Sequence, residues 1–285
     1  MALIAVAEML ERAEKGKYAV GAFNCNNMEI VQAIITAAEA EEAPVIIQAS
    51  QGAIKYAGLK WVAGMARLAA ERSKVPVAIH LDHGTSFEQC VKCIAAGFSS
   101  VMIDGSRLPF DENVELTNKV LEVAKSVGVS VEAELGKIGG TEDDITVDER
   151  DAMLTDPKEA KEFVERTGVD SLAVSIGTAH GQYKGEPKLD FERLEKIKSF
   201  VKIPIVLHGS SGVPDEAIEK AISLGVSKVN IDTNIREAFT NTMRRVLEEK
   251  PGEIDPRKVL GPAREAAVEI IREKIRLFGT SGKAF

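Results

Sequence analysis

The run "VPVAIHLD", residues 75–82, reads as a buried strand that ends in polar and charged groups. Valine, isoleucine and leucine make up half of it, and a segment with helical periodicity follows. Seven similar runs occur elsewhere, at 18–24, 43–50, 99–104, 129–136, 170–177, 203–209 and 227–232. Strands that alternate with amphipathic helices form parallel βαβ units. Eight such units in about 250 residues predict a TIM (β/α)8 barrel.

The chain shows no linker or low-complexity tract, so we expect one domain over residues 1–285. The segment "DPRKVLGPAREAAVEIIREKIRLFG" (255–279) predicts extra C-terminal helix beyond the eighth unit. A doubly wound open sheet is the alternative fold. It is disfavoured because no G-x-G-x-x-G follows the first strand.

Composition limits the class of protein. Apolar residues make up 45% of the chain and charged residues 28%, which is typical of a globular protein. The net charge of −8, without a basic tract, argues against nucleic acid as a partner. No apolar stretch reaches the roughly 18 residues of a membrane span. "MALIAVAEMLERAEKGK" (1–17) lacks the basic start of a signal peptide, so we expect a cytoplasmic location.

The chain has three cysteines, a sparse and odd number that indicates a reducing compartment. "CVKC" (90–93) has the spacing of half a zinc site, but no second pair exists. It lies in "TSFEQCVKCIAAG" (85–97), which has a helical pattern with an N-cap and a glycine stop. Two ordinary helix cysteines are therefore the favoured interpretation.

Polar residues recur where the predicted strands end. In a TIM barrel the carboxyl ends of all strands form one face, which carries the active site. We expect on this face Asp82, His83, Asp104, Glu132, Glu134, His180, His208, Asn230 and Asp232.

Three of the four histidines, His83, His180 and His208, each precede a glycine and lie at predicted strand ends. Three imidazoles with an open fourth position form a common catalytic zinc site. We therefore predict a metal centre at these residues. His80 lies earlier in its strand and is expected to be a packed, hydrogen-bonded interior residue.

Small residues at later strand ends suggest phosphate binding. "HGSSG" (208–212) precedes a helix, and backbone N–H groups at a helix start bind anions. "NIDTN" (230–234) follows the eighth strand, and these two turns form the frequent phosphate site of the fold. Lys184, in "HGQYKG" (180–185), adds a point charge suited to phosphate.

Two features point to proton transfer without settling it. Asp82 directly precedes His83, and it could shuttle a proton to bound substrate or only orient a histidine. The connection "KIGGTEDDITVDERDAMLT" (137–155) is unusually long for a βα loop. It is either a lid over the site or a solvated acidic loop.

Metal, phosphate and proton transfer together suit cleavage of a C–C bond beside a ketone. Such cleavage needs a stabilised enolate, which enzymes supply by a lysine Schiff base or by a metal. We expect no lysine in the eight strand cores, with Lys228 at the start of strand eight and Lys137 and Lys184 beyond strand ends. The metal route is therefore favoured.

The chain resembles the class II, metal-dependent ketose-bisphosphate aldolases over nearly its whole length. The motifs that carry the resemblance are "YAVGAFN", "HLDHG", "VMIDGS", "VEAELGKIGGTEDD", "IGTAHGQYKGEP", "LHGSSG" and "VNIDT". The resemblance implies a catalytic Zn²⁺ at His83, His180 and His208, with Asp104 and Glu134 at an alternative or second divalent metal position. A monovalent cation is a further expectation.

The resemblance also implies roles for other residues. Asp82 exchanges the proton of the substrate's C4 hydroxyl, and Glu142 assists at the dihydroxyacetone phosphate carbon. Asn24 and Ser50 contact the substrate, and Arg257 reaches the second phosphate in a neighbouring subunit of a homodimer or homotetramer. The residues implied around dihydroxyacetone phosphate are Gly181, Lys184, Gly209, Ser210, Ser211, Asn230, Asp232 and Thr233.

The implied reaction is reversible cleavage of fructose 1,6-bisphosphate to dihydroxyacetone phosphate and glyceraldehyde 3-phosphate. Tagatose 1,6-bisphosphate is an alternative substrate, because "DSLAVSIGTAHG" and the loop "DDITVDERDAMLTDP" resemble that branch, and "HGSSG" departs from the "HGG" followed by Thr or Ser of many fructose enzymes. A deoxy-phosphogluconate of inositol breakdown is a more distant one. Outside the family, a metal-dependent hydrolase and a non-catalytic sugar-phosphate sensor also fit a barrel with these groups.

Overall fold

The computed structural model of the chain describes residues 3–142, 145–147, 153–181 and 187–285. Eight parallel strands form a closed barrel, in the order β1-β11-β10-β8-β5-β4-β3-β2. These strands are β1 Val20–Asn24, β2 Val45–Ser50, β3 Val77–Gly84, β4 Ser100–Ile103, β5 Ser130–Leu135, β8 Ser171–Val174, β10 Ile205–Leu207 and β11 Val226–Ile231. Each overlaps one predicted run. Because β1 pairs with both β2 and β11, the sheet has closed, which confirms the TIM barrel and excludes the open sheet.

Helices surround the barrel in the expected alternation. They are α1 Val6–Gly16, α2 Met28–Ala40, α3 Gln51–Ala57, α4 Leu59–Arg72, α5 Phe87–Ala95, α6 Phe110–Ser126, α7 Pro157–Thr167, α8 Phe191–Phe200, α9 Asp215–Ser223, α10 Thr233–Glu249 and α11 Pro256–Leu277. The predicted C-terminal helix is α11, which begins at an Asp255 N-cap followed by proline. It packs against α10 and α2.

The barrel interior is closed at its N-terminal end by α1. Met9 and Leu10 of this helix pack against Ala22, Ile46 and Ala78, which the strands point inward. Burial of these side chains is the main stabilising contribution at this end. It also leaves the opposite end as the opening of the barrel.

Above this apolar plug the inward positions become polar. Residues two apart in a strand share a face, so His80 lies on the same face as Asp82, and Lys228 on the same face as Asn230. Glu132 of β5 meets Lys228 across the barrel interior, and both side chains are fully buried. A polar layer therefore lies directly beneath the carboxyl ends of the strands.

The long connection after β5 is not a plain loop. It contains β6 Gly139–Glu142 and β7 Ile145–Val147, which pair antiparallel. β6 also pairs in parallel with β9, Ala179–His180, so these segments form a small sheet at the barrel mouth. In the described part of the chain, no helix combines the length and apolar character needed to cross a bilayer.

Candidate metal centre and active site

The three histidines predicted as metal ligands meet at the mouth of the barrel. Their ring nitrogens lie within 4.8 Å of one another, although His83 is the penultimate residue of β3, His180 lies on β9 and His208 follows β10. Nδ1 of His208 is 2.9 Å from Nε2 of His83. The His83 ring lies edge-to-face with both others, at centroid distances of 5.0 and 4.7 Å.

His83 is oriented by carboxylates from the carboxyl ends of β4 and β5. Its Nδ1 lies 3.0 Å from Asp104 Oδ2 and 3.8 Å from Glu134 Oε2. Burial by itself raises the pKa of Asp104, but the hydrogen bond with His83 and the bonds to Ser106 outweigh it and hold that pKa below the ordinary range. His83 has a φ of 47°, in the left-handed region that non-glycine residues rarely adopt. The backbone turn and the carboxylates together aim Nε2 at His208.

His208 is oriented from inside the barrel. Its Nε2 lies 2.9 Å from Glu132 Oε1. Burial lowers the pKa of His208 to about 4, so the imidazole is neutral at pH 7 and available as a ligand. Burial alone would raise the pKa of Glu132, but the Lys228 charge and the His208 hydrogen bond hold it below the usual range. A carboxylate that fixes the far nitrogen of a histidine is the usual support of a metal ligand.

His80 lies where the sequence predicted, inside the barrel wall. It is fully buried, and its Nδ1 is 2.8 Å from Ser100 Oγ. Its Nε2 lies 3.6 Å from Glu132. The fourth histidine therefore packs below the three that converge, in the polar layer.

Asp82 is held by side-chain amides from three other strands. Asn24 Nδ2 donates to Oδ2 at 2.8 Å, Gln48 Nε2 donates to the same oxygen at 3.2 Å, and Asn230 Nδ2 donates to Oδ1 at 3.2 Å. The carboxylate is fully buried. Amide donors favour its ionised form, which only accepts hydrogen bonds and can take a proton.

The expectation that no strand core carries a lysine is wrong. Lys228 lies within β11 and is fully buried, with Nζ 2.9 Å from Glu132 Oε2 and donating to Asn230 Oδ1 at 2.8 Å. The alternation of "SKVNID" contained the signal, because Lys228 and Asn230 are two residues apart and share the inward face. The ammonium points across the interior to a carboxylate rather than into the open cavity.

A cavity of about 200 Å³ opens beside these groups. It has short polar side chains, glycine backbone and the first turn of α10. The lining residues are Asn24, His180, Gly181, Gly209, Ser210, Ser211, Asn230, Asp232, Thr233 and Arg236. All but Arg236 were predicted from the sequence. Arg236 lies one helical turn after Asp232 and contacts its carboxylate at 2.7 Å.

Two of the glycines that follow the histidines are required by close approach. A Cβ at Gly209 would lie 2.5 Å from the carbonyl oxygen of Ala179, and φ there is +63°. A Cβ at Gly84 would lie 2.6 Å from the carbonyl oxygen of Met102. The first contact packs the chain after His208 against the strand that carries His180.

Other predicted residues are placed less directly. Ser50 ends β2, and its Oγ accepts from Ala53 N at the start of α3. Glu142 is the last residue of β6. Arg257 is exposed at the start of α11 and pairs with Asp255 at 2.8 Å, away from the cavity lining. Lys184 lies outside the described residues.

Sequence reasoning missed further groups at the site. Gln48 donates to both Asn24 and Asp82, and it shares the inward face of β2 with Ser50. Lys228 was placed outside the strand core, and no role was given to Glu132. The period-two pattern within each strand was the available signal, but it does not show which inward residues touch across the barrel.

Comparisons with known proteins agree with this architecture. The family described as "Fructose-bisphosphate aldolase class-II" matches residues 4–283. The fructose-bisphosphate aldolase of Geobacillus stearothermophilus is 52% identical over 287 residues, covering 100% of this chain and 99% of that protein. That of Thermus caldophilus is 48% identical, covering 99% and 100%.

A solved structure gives the same result for the fold. The YdjI aldolase from Escherichia coli K12 is 37% identical, with a TM-score of 0.88 and complete coverage of both chains. The family resemblance found in the sequence is thereby confirmed. The chain belongs to the class-II fructose-bisphosphate aldolase family, whose members are metal-dependent lyases.

Proposed function

We propose that the chain cleaves fructose 1,6-bisphosphate reversibly to dihydroxyacetone phosphate and glyceraldehyde 3-phosphate, with Zn²⁺ bound by His83, His180 and His208. One observation carries the proposal. Three imidazoles converge within 4.8 Å of one another, and the two asparagines that hold Asp82 also line the adjacent cavity. Metal ligands, a proton-accepting carboxylate and an anion site thus meet at one mouth.

The donor set fits a zinc ion. Tetrahedral Zn²⁺ with Zn–N bonds near 2.0–2.1 Å holds its nitrogens about 3.4 Å apart. The facing His83 and His208 nitrogens lie 2.9 Å apart, close to this spacing, and a His180 nitrogen lies within 4.8 Å of both rings' ligand atoms. When bound, the ion would supply Lewis-acid stabilisation of the charge that develops on the ketone oxygen. Nε2 of His83 and Nδ1 of His208 face each other and are the ligand atoms.

A second divalent position is proposed at Asp104 and Glu134. Their carboxylate oxygens and a nitrogen of His83 lie within 4.8 Å of one another. Because this position and the three-histidine position both use His83, they would either be alternative places for one ion or hold two neighbouring ions. We also propose that a monovalent cation binds, and we assign no ligands to it.

Asp82 is proposed as the acid–base group. Cleavage requires removal of the proton from the C4 hydroxyl, and condensation returns it. Asn24 and Asn230 hold the carboxylate from opposite oxygens, which fixes its direction. Burial keeps bulk water away from the accepted proton. Glu142, on the β6 strand next to β9, is proposed to assist at the dihydroxyacetone phosphate carbon.

The cavity is proposed to bind the phosphate of dihydroxyacetone phosphate. Backbone N–H groups at the start of α10 and hydroxyls of Ser211 and Thr233 suit an anion. Arg236 supplies a positive charge beside Asp232. The other proposed contacts are Asn24, Ser50, Gly181, Lys184, Gly209, Ser210 and Asn230.

Further parts of the proposal concern the whole protein. We treat residues 1–285 as one domain that acts in the cytoplasm as a homodimer or homotetramer. Arg257 is exposed, with 88% of its side chain accessible. This suits a role at the second phosphate of substrate bound to a neighbouring subunit.

The test compares kcat/KM of zinc-loaded protein for fructose and tagatose 1,6-bisphosphates. We expect the fructose substrate to be preferred by about tenfold or more, in agreement with the names of the similar proteins. His208→Ala should abolish zinc binding and cleavage together. Full activity of metal-free protein, or a borohydride-reducible lysine adduct, would overturn the proposal, and a preference for tagatose or deoxy-phosphogluconate substrates would correct the substrate alone.

A further inference from the structure

Lys228 is a fully buried cation in the middle of the barrel. It comes from β11 and reaches Glu132 of β5, although β10 and β8 lie between these strands in the barrel order. Its Nζ also donates to Asn230 Oδ1. Burying an ion pair costs solvation energy that apolar packing would avoid, so the pair is a poor explanation of stability alone.

One contact of Lys228 leads to the metal site. Glu132 places Oε2 at Lys228 and Oε1 at Nε2 of His208. An ionised carboxylate only accepts hydrogen bonds, so Nε2 of His208 must carry the ring proton. Nδ1 of His208 then carries no proton, and its lone pair points toward His83. Lys228 thus anchors the carboxylate that selects the ligand tautomer.

The other contact leads to the acid–base group. A lysine ammonium only donates, so the atom of the Asn230 amide that faces it must be the oxygen. The nitrogen of that amide consequently faces Asp82 and donates to Oδ1 at 3.2 Å. Without Lys228 the amide could rotate, and an oxygen facing the Asp82 carboxylate would repel it.

We propose that Lys228 is a positioning residue that couples the two halves of the active site, orienting His208 through Glu132 and Asp82 through Asn230. The inference rests on the proposed function, which assigns the metal to His208 and proton transfer to Asp82. The lysine itself is not among the residues that line the cavity.

The experiment compares Lys228→Met, Lys228→Gln and the double variant Glu132→Gln/Lys228→Met with the wild type. The double variant removes both charges of the Lys228–Glu132 pair together, so it is the one expected to fold normally. Lys198→Met is the matched control, because Lys198 pairs with Glu14 outside the barrel and donates to Ile203 O. Each protein is assayed for thermal unfolding, Zn²⁺ affinity by chelator competition, the visible spectrum of its Co²⁺ form, kcat and KM.

We expect the folded double variant to bind Zn²⁺ about 10–100-fold more weakly than the wild type does. Such a loss is typical when the group that supports a metal ligand is removed. Its Co²⁺ spectrum should change, and kcat should fall while KM stays near the wild-type value. Lys198→Met should match the wild type in Zn²⁺ affinity, Co²⁺ spectrum, kcat and KM. Wild-type Zn²⁺ affinity, Co²⁺ spectrum and kcat in the folded double variant would overturn the inference.

The single variants keep the test decisive if the double variant does not fold. The glutamine amide can still donate to Glu132 or to Asn230, whereas methionine donates to neither. Positioning therefore predicts tighter Zn²⁺ binding in Lys228→Gln than in Lys228→Met, and simple space filling predicts the reverse order or no difference. Failure of the wild type to cleave the bisphosphate would refute the proposed function, whereas wild-type behaviour of the variants refutes only the role of Lys228.

Discussion

Replacement of Gly209 by alanine is expected to loosen the metal site without a change in any ligand. The new Cβ would lie 2.5 Å from the Ala179 carbonyl oxygen and 2.6 Å from its carbon. Both are backbone atoms, so no side chain can move aside. Ordinary contact begins at 3.4 Å, and the separation must therefore grow from 2.5 Å by about 0.9 Å. The left-handed φ of +63° adds about 1–2 kcal/mol of strain for a residue with a Cβ.

This displacement falls between two of the proposed metal ligands. Gly209 directly follows His208, and Ala179 directly precedes His180, so the two histidines must move apart. Metal–ligand distances are held to about 0.2 Å, several times less than the required shift. We expect Zn²⁺ affinity to fall by at least about tenfold, or about 1.4 kcal/mol. A misplacement near 1 Å also costs about 10²-fold in kcat.

The assay is chelator competition for Zn²⁺ without substrate, which excludes effects of the new methyl group on substrate binding. Gly64→Ala is the control, because a Cβ at Gly64 meets nothing within 4 Å. That change lies in α4 and should stabilise the protein by about 0.5–1 kcal/mol without altering Zn²⁺ affinity. Unchanged Zn²⁺ affinity in folded Gly209→Ala would refute the reasoning that this contact sets the spacing of the ligands.

Three further outcomes are expected. Asp82→Ala should lower kcat for cleavage by about 10²–10⁴-fold while bound zinc stays stoichiometric by elemental analysis; retained cleavage would exclude Asp82 as the acid–base group. Removal of metal by a chelator should lower Tm and restored Zn²⁺ should recover it, because a ligand that binds only folded protein stabilises it; equal Tm values would argue against a zinc site at the histidines. Arg276 and Arg272 hold the pKa of Glu41 at about 2, well below 4.5. A lowered folded-state pKa gives stability that is present above the ordinary pKa and lost as pH falls toward the folded one. Urea unfolding of Glu41→Gln should thus show a deficit of about 1–2 kcal/mol at pH 7 that shrinks as pH falls from about 5 to about 2, and a deficit independent of pH would contradict this assignment.

The sequence predicted the fold because each strand and helix is locally consistent. "VPVAIHLD" has the composition of a buried strand, and the helix predicted within residues 255–279 begins after Asp255 with Pro256, as the structure has it. The TIM barrel follows from the number and alternation of such units. The convergence of His83, His180 and His208 needed only the rule that strand ends share a face.

The interior of the barrel could not be predicted in the same way. Lys228 and Glu132 come from strands that are not neighbours, and their contact depends on the barrel's radius and on side-chain reach. A lysine at a strand position also suggests exposure, because unpaired charges are rarely buried. The strands within residues 137–155 were missed. β6 pairs with the distant segment Ala179–His180, and β7 joins this small sheet through β6.

The separation of the proposed metal ligands along the chain has a consequence for biosynthesis. His83 and His208 are 125 residues apart, and a ribosome adds about 5–20 residues per second. The first ligand is therefore made roughly 6–25 s before the last one. During this interval the nascent chain holds no complete zinc site, so the metal cannot guide early barrel formation. Metal loading should instead follow closure of the barrel and mark the completion of folding.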